Sequence, residues 1–227
     1  MSICDRMRAD SARIWDGLHA HPFLRELAQG TLALEKFRFF LEQDIFYLND
    51  FARCLAMGAA KARDEIELGY FVTDLNQVIE AELPTNRKLL AAVIDMGAAD
   101  AGGSLLQAPA NLAYTSYMQA QSLRGGTLEI MAVLLPCAWS YIEIAQRLAG
   151  EASSEHPVYS PWIAYFSAPE NVAMVGKMRA DLDSLVQAEG LNQRRQGELG
   201  QIFANSSRLE RGFWDMAYNL TQWPDLP

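Results

Sequence analysis

Apolar residues recur at three- and four-residue steps along almost the whole chain, the period of an amphipathic helix. The pattern predicts a first helix from Ser2, with Asp5 as its capping partner, through Ile14, Trp15 and Leu18. His21-Pro22-Phe23 interrupts it, a short helix through Leu24 and Leu27 follows, and Gly30 stops that one. A long helix is predicted from Thr31 to Arg63, then another from Asp64 to Leu83 that Pro84 kinks or ends. Further helical stretches cover Thr85 to Met96, Asn111 to Leu123, Leu128 to Ala149 with Thr127 as its cap, Pro169 to Ala188, and Asn192 to Leu220. A short helix surrounds Trp162 and Tyr165, and Gly97 to Pro109 reads as the main loop. No strand-like alternation, internal repeat or linker emerges, so the chain reads as a single all-α helical bundle spanning residues 1–227.

Three positions break this pattern in the same way. Asp44 lies inside the stripe formed by Phe37, Phe40, Leu41, Leu48, Phe51 and Leu55. A carboxylate on a core-facing side needs compensation for its desolvation, so Asp44 is a structural anchor or a ligand contact. Glu210 shares a helical face with Phe203, Ser206, Ser207, Phe213, Trp214 and Ala217. Cys137 sits among Ile130, Val133, Leu134, Tyr141, Ile144 and Leu148, directly after Pro136, whose ring disfavours the helix interior by ~3 kcal/mol. Buried cysteines are more often inert than reactive. Two inward carboxyls and a thiol on three helices nevertheless point to a shared pocket, with Tyr47, Tyr114, Tyr117, Tyr141 and Tyr165 available as aromatic walls or as ordinary core.

Composition narrows the chemistry. The 227 residues carry a net charge of −9, and no dense basic stripe is present, which disfavours nucleic acid as a partner. No uninterrupted apolar run approaches the roughly 20 residues of a membrane span, and the start lacks a signal-peptide core. Three widely separated cysteines outside any C-x-x-C fit reduced thiols in the cytoplasm. The histidines, His19, His21 and His156, complete no Glu-x-x-His pair, and His19 and His21 lie near a helix end beside Pro22, where capping is commoner than ligation. No Walker loop, dinucleotide fingerprint or nucleophile elbow occurs.

With these residues in view, the chain resembles the TenA family, the thiaminase II or aminopyrimidine aminohydrolase group. The resemblance rests on His21-Pro22-Phe23, Gln29-Gly30-Thr31-Leu32, Phe37 through Asp44, Tyr114-Thr115-Ser116, Leu134 through Trp139, His156-Pro157-Val158-Tyr159, and Ser206 through Glu210 before Phe213-Trp214. It implies a haem-oxygenase-like helical fold and hydrolysis of an aminopyrimidine or of thiamin, with no metal or cofactor. It implies Cys137 as nucleophile, Glu210 as acid/base, Asp44 as pyrimidine ligand, and Tyr47, Tyr114, Tyr141 and Tyr165 as further substrate contacts. It also implies a homotetramer. Tyr117 and Pro84 stand where relatives often carry histidine, while Cys137 places the chain in the cysteine-containing branch. The rival readings are a cofactor-free oxidase or haem protein on the same fold, and a pyrimidine-binding or regulatory protein without turnover.

Overall fold

The computed structural model describes residues 1–104, 106–151 and 155–224. Among them are eleven α-helices and no strand: α1 (Ile3–Asp10), α2 (Ala12–His19), α3 (Pro22–Ala28), α4 (Leu34–Lys61), α5 (Glu65–Gln77), α6 (Leu83–Asp95), α7 (Pro109–Arg124), α8 (Thr127–Glu151), α9 (Tyr159–Ser167), α10 (Pro169–Glu189) and α11 (Gln193–Asn219). The all-α expectation therefore holds. Helix α4 packs on α5, α6 and α7, α8 on α9, α10 and α11, and α11 also on α7. Phe40, Trp162 and Trp214, all fully buried, join the facing helices, with Phe40 stacked on Trp214 at 5.1 Å between centroids. By length and composition α8 is apolar enough to cross a membrane, but its apolar surface is buried within the protein.

Several boundaries differ from the pattern. The first helix is two, because Ser11 leaves helical geometry and re-aims the chain. That break lets Ile3, Cys4 and Met7 enter the core while the Trp15 indole donates to Ser207 at 3.0 Å. His21 caps α3, its Nδ1 accepting from the Phe23 amide at 3.2 Å, and its Nε2 pairs with Asp215. Thr127 does not cap α8. It is the first helical residue, and Glu129 instead accepts from the Gly126 amide at 2.7 Å.

Pro84 neither kinks nor ends its helix. Between α5 and α6 the backbone widens into a π-helical turn, Val78–Glu82, where the Leu83 amide donates five residues back to Val78. The helical path thus continues into α6 with Pro84 in its first turn, where a missing amide costs nothing. Such turns often mark functional positions. This one places Glu82 and Asn86 opposite α4 and α8.

Two polar ties fix the long helices around that point. Lys61, at the end of α4, donates to the carbonyls of Ser122, Leu123 and Gly125 at the end of α7, where a cation complements the helix dipole. Gln43 is fully buried and holds the α6–α7 loop, donating to the carbonyls of Gly103 and Leu106 and accepting from the Ala108 amide. Asp44 is next to Gln43 in sequence, so these bonds also fix where its carboxyl points.

Candidate active site

Asp44 is 2% exposed, as its place in the α4 stripe implied. Asn86 of α6 donates to its Oδ2 at 2.6 Å, while Oδ1 receives no hydrogen bond among the described residues. Burial pushes the Asp44 carboxyl up to about 7, and the Asn86 donation only partly opposes this. The other amide atom, Asn86 Oδ1, is buried and has no partner among the described residues.

Glu210 reaches the same region from α11, 1% exposed, with Oε1 unpartnered among the described residues. Burial, then the charge of Asp44, raises it to about 8, while Tyr114, Cys137 and Trp214 beside it offset part of the rise. Tyr47 and Tyr114 face each other at 4.9 Å between centroids, and the Tyr47 hydroxyl is also buried without a partner among the described residues. Ser206 spends its proton on the Val133 carbonyl at 2.6 Å, so the Tyr114 hydroxyl is the donor in its 3.1 Å bond with Ser206. Buried polar atoms are nearly always satisfied. Unpaired atoms of Asn86, Tyr47 and Glu210 around one point are those of a site shaped for a polar ligand.

Cys137 lies on the face of α8 that turns towards this cluster. It is half-buried rather than fully buried, and opens onto a narrow cleft lined also by Gln77, Glu82, Tyr141, Tyr165 and Phe166. Helix α8 runs unbroken through Pro136, and the Val133 carbonyl one turn before the thiol is the one held by Ser206. Burial, then Glu210, pushes the Cys137 thiol well above its usual range; Asp44 and Glu82 add to this, and only Tyr47 opposes it. No cation contributes. Proton transfer to a neighbouring carboxylate is the available route to a thiolate.

The other two thiols are elsewhere. Cys54 is buried on α4 beyond the cleft. Cys4, in the first turn of α1, is fully buried, and its thiol donates to the Arg179 carbonyl at 3.4 Å. It does not line the cleft.

The sequence-derived candidates thus fall into two groups. Asp44, Tyr47, Tyr114 and Glu210 form the buried inner end, and Cys137 and Tyr141 stand between it and the outer cleft, where Tyr165 accepts from Gln77 at 3.4 Å. Periodicity in the sequence missed Glu82 and Asn86, and placed Ser206 on the inward face of α11 without a role. Glu82 is half-buried on the cleft wall, raised to about 8 by burial and then by the charge of Asp44. Of the two positions that depart from relatives, Tyr117 pairs with Asn205 at 3.2 Å, and Pro84 is exposed. Neither lines the cleft.

This geometry sets two expectations. Asp44→Asn should weaken binding of a 4-aminopyrimidine by roughly 1.5–3 kcal/mol with the fold intact, measured by calorimetry against circular dichroism. Stability should also depend on pH. Asp44, Glu82 and Glu210 have folded-state values of about 7, 8 and 8, above their ordinary ones. The native state therefore holds more protons than the unfolded state between about pH 4 and 8, so stability falls as pH rises through that window. The melting temperature of the ligand-free protein should be several degrees lower at pH 8 than at pH 5.5, at roughly 2–4 °C per kcal/mol for a chain of this length.

Known proteins resemble the chain over almost its whole length. The chain is 36% identical to an aminopyrimidine aminohydrolase of Halalkalibacterium halodurans over 225 residues, covering 98% of each chain. Among solved structures it is similar to a TenA homologue from P. horikoshii OT3, with a TM-score of 0.84, 30% identity and coverage of 96% and 99% of the two chains. A domain of unknown function with a heme oxygenase-like fold from Shewanella denitrificans shares the fold at a TM-score of 0.69 and 13% identity, over 96% and 92% of the chains. The sequence profile of the TENA/THI-4/PQQC family matches residues 8–220, and the chain belongs to that family.

Proposed function

We propose that this protein hydrolyses a 4-aminopyrimidine at its exocyclic methylene, releasing the hydroxymethylpyrimidine and either an amine or the thiazole of thiamin, as part of thiamin salvage. The observation that carries the reading is the convergence of Asp44, Cys137 and Glu210, from α4, α8 and α11, on one partly unsatisfied site.

Each residue takes the role its surroundings suit. Asp44, held by Asn86, accepts from the 4-amino group through its free oxygen, which disfavours rings lacking that donor. Tyr47, Tyr114 and Tyr141 flank the ring. Cys137 gives its proton to a neighbouring carboxylate and adds to the ring as thiolate. The ring nitrogen takes up the negative charge, and its electrons expel the leaving group from the methylene. Water adds to that carbon, losing a proton, and the returning electrons expel the thiolate. Glu210 moves the protons at the ring nitrogen and the water, a task suited to a carboxyl raised to about 8. The cleft outside Cys137, walled by Phe166, Met174, Val175 and Met178, is the side on which the leaving group departs.

Assembly into a homotetramer is part of the same proposal. It is supported by Ile66, Leu68, Val72 and Ile79, all exposed along α5 and the π-helical turn. The catalytic reading is tested by incubating the protein with 4-amino-5-aminomethyl-2-methylpyrimidine and with thiamin, and resolving the hydroxymethylpyrimidine by chromatography. Its formation from either supports the proposal. Tight binding of both without product would leave a binding protein instead.

A further inference from the structure

Resting on that reaction, the structure assigns Glu82 a role that separates the two substrates: we propose that it holds the departing amine as an ammonium group, and that it has no comparable part in thiamin cleavage.

The substituents of the ring fix where the leaving group must lie. The 4-amino and 5-methylene groups are neighbours, so if Asp44 takes the first, the second lies beside Asp44 on the side open to the cleft. Glu82 occupies that side. It ends the π-helical turn, lines the cleft with Cys137, Tyr141 and Tyr165, and is close enough to Asp44 for the Asp44 charge to raise the cost of ionising it. It has no hydrogen-bond or ion-pair partner among the described residues, although Gln77 is near. The Gln77 amide is directed instead to Asn171 at 3.0 Å and Tyr165 at 3.4 Å. Asn86, one turn further along the same helical path, adds a second sign of a ligand site: its fully buried Oδ1 is unpaired among the described residues beside Asp44.

The chemistry at that position depends on the leaving group. A neutral amine departs poorly, whereas an ammonium departs as neutral ammonia once the carbon–nitrogen bonding pair passes to a nitrogen already carrying three protons. A carboxylate facing that nitrogen keeps it protonated and accepts its N–H bonds. The nitrogen of thiamin's thiazolium is quaternary, has no N–H to donate, and leaves as neutral thiazole without a proton. Glu82 therefore matters for one bond cleavage and not for the other. Burial supports this pairing, since a carboxyl raised to about 8 by its surroundings regains its charge when a cation is placed against it.

The test is kcat/KM of wild type, Glu82→Gln and Glu82→Asp on the aminomethylpyrimidine and on thiamin, with melting temperatures alongside. Glu82→Gln should lose about tenfold or more on the amine substrate and less than about threefold on thiamin, with Glu82→Asp recovering part of the loss. Equal losses on both substrates, or no loss on the amine, would overturn the assignment while leaving the reaction standing. Absence of turnover by the wild type on both would instead overturn the functional reading on which it rests.

Discussion

Cys137→Ser is expected to lower kcat by about 10³-fold or more, ~4 kcal/mol of transition-state stabilisation, while leaving affinity for the pyrimidine within about twofold. Affinity survives because the ligand's polar contacts come from Asp44 and its aromatic contacts from Tyr47 and Tyr114. A hydroxyl in place of the thiol changes little that the ring touches. Turnover does not survive, because serine in this acid-lined setting is a far weaker nucleophile than a thiol that can pass its proton to a carboxylate. Cys54→Ser is the matched control: that thiol is buried on α4 and does not line the cleft, so activity should stay near wild type. Comparable rates for Cys137→Ser and wild type would reduce the mechanism to acid/base hydrolysis by the carboxyls.

Glu210→Gln should be the second large effect, lowering kcat by about 10²–10⁴-fold, the usual worth of a positioned acid/base group. Its distinguishing mark lies in stability. Glutamine keeps the shape of the side chain but cannot ionise, so it removes the cost of charging a buried carboxyl. The variant should therefore melt higher than wild type at pH 8 and close to it at pH 5.5. A merely structural Glu210 would give a variant that is less stable at both pH values. Activity lost together with stability would thus argue against the acid/base role.

One physical rule made much of the site legible in the sequence: a polar residue interrupting an apolar stripe at helical spacing is buried and needs a partner. That rule found Asp44, Cys137 and Glu210. It applies equally to Asn86, which shares a buried face with Leu83, Leu89 and Val93 on α6, although a neutral amide costs less to bury than a carboxylate and so signals a partner less strongly. Glu82 was beyond it. The π-helical turn from Val78 to Glu82 shifts the register, so spacing counted at 3.6 residues per turn along α5 assigns the wrong face to Glu82, its last residue. The tyrosines are ambiguous for another reason. Tyr141 packs on Trp162, Phe166 and Trp214 as any core aromatic would, and Tyr159, equally buried, only bonds the Leu32 carbonyl. Periodicity reports burial, and burial alone does not separate a wall of a site from the core behind it. Ends of elements were legible where local chemistry decided them, as at Asn192 before α11 and Gly190 after α10. They were not at Ser11, a residue that no capping signal in the sequence marks as a break.

The most direct test of the central claim, water displacing the leaving group at the methylene, is turnover of the aminomethylpyrimidine in H₂¹⁸O with mass analysis of the product. The expected result is one ¹⁸O in the hydroxymethyl group, the 4-amino group retained, and one equivalent of ammonia released by wild type but not by Cys137→Ser. Label appearing on the ring in place of the 4-amino group would contradict the account, because attack would then fall on the ring amine that Asp44 is proposed to hold in place.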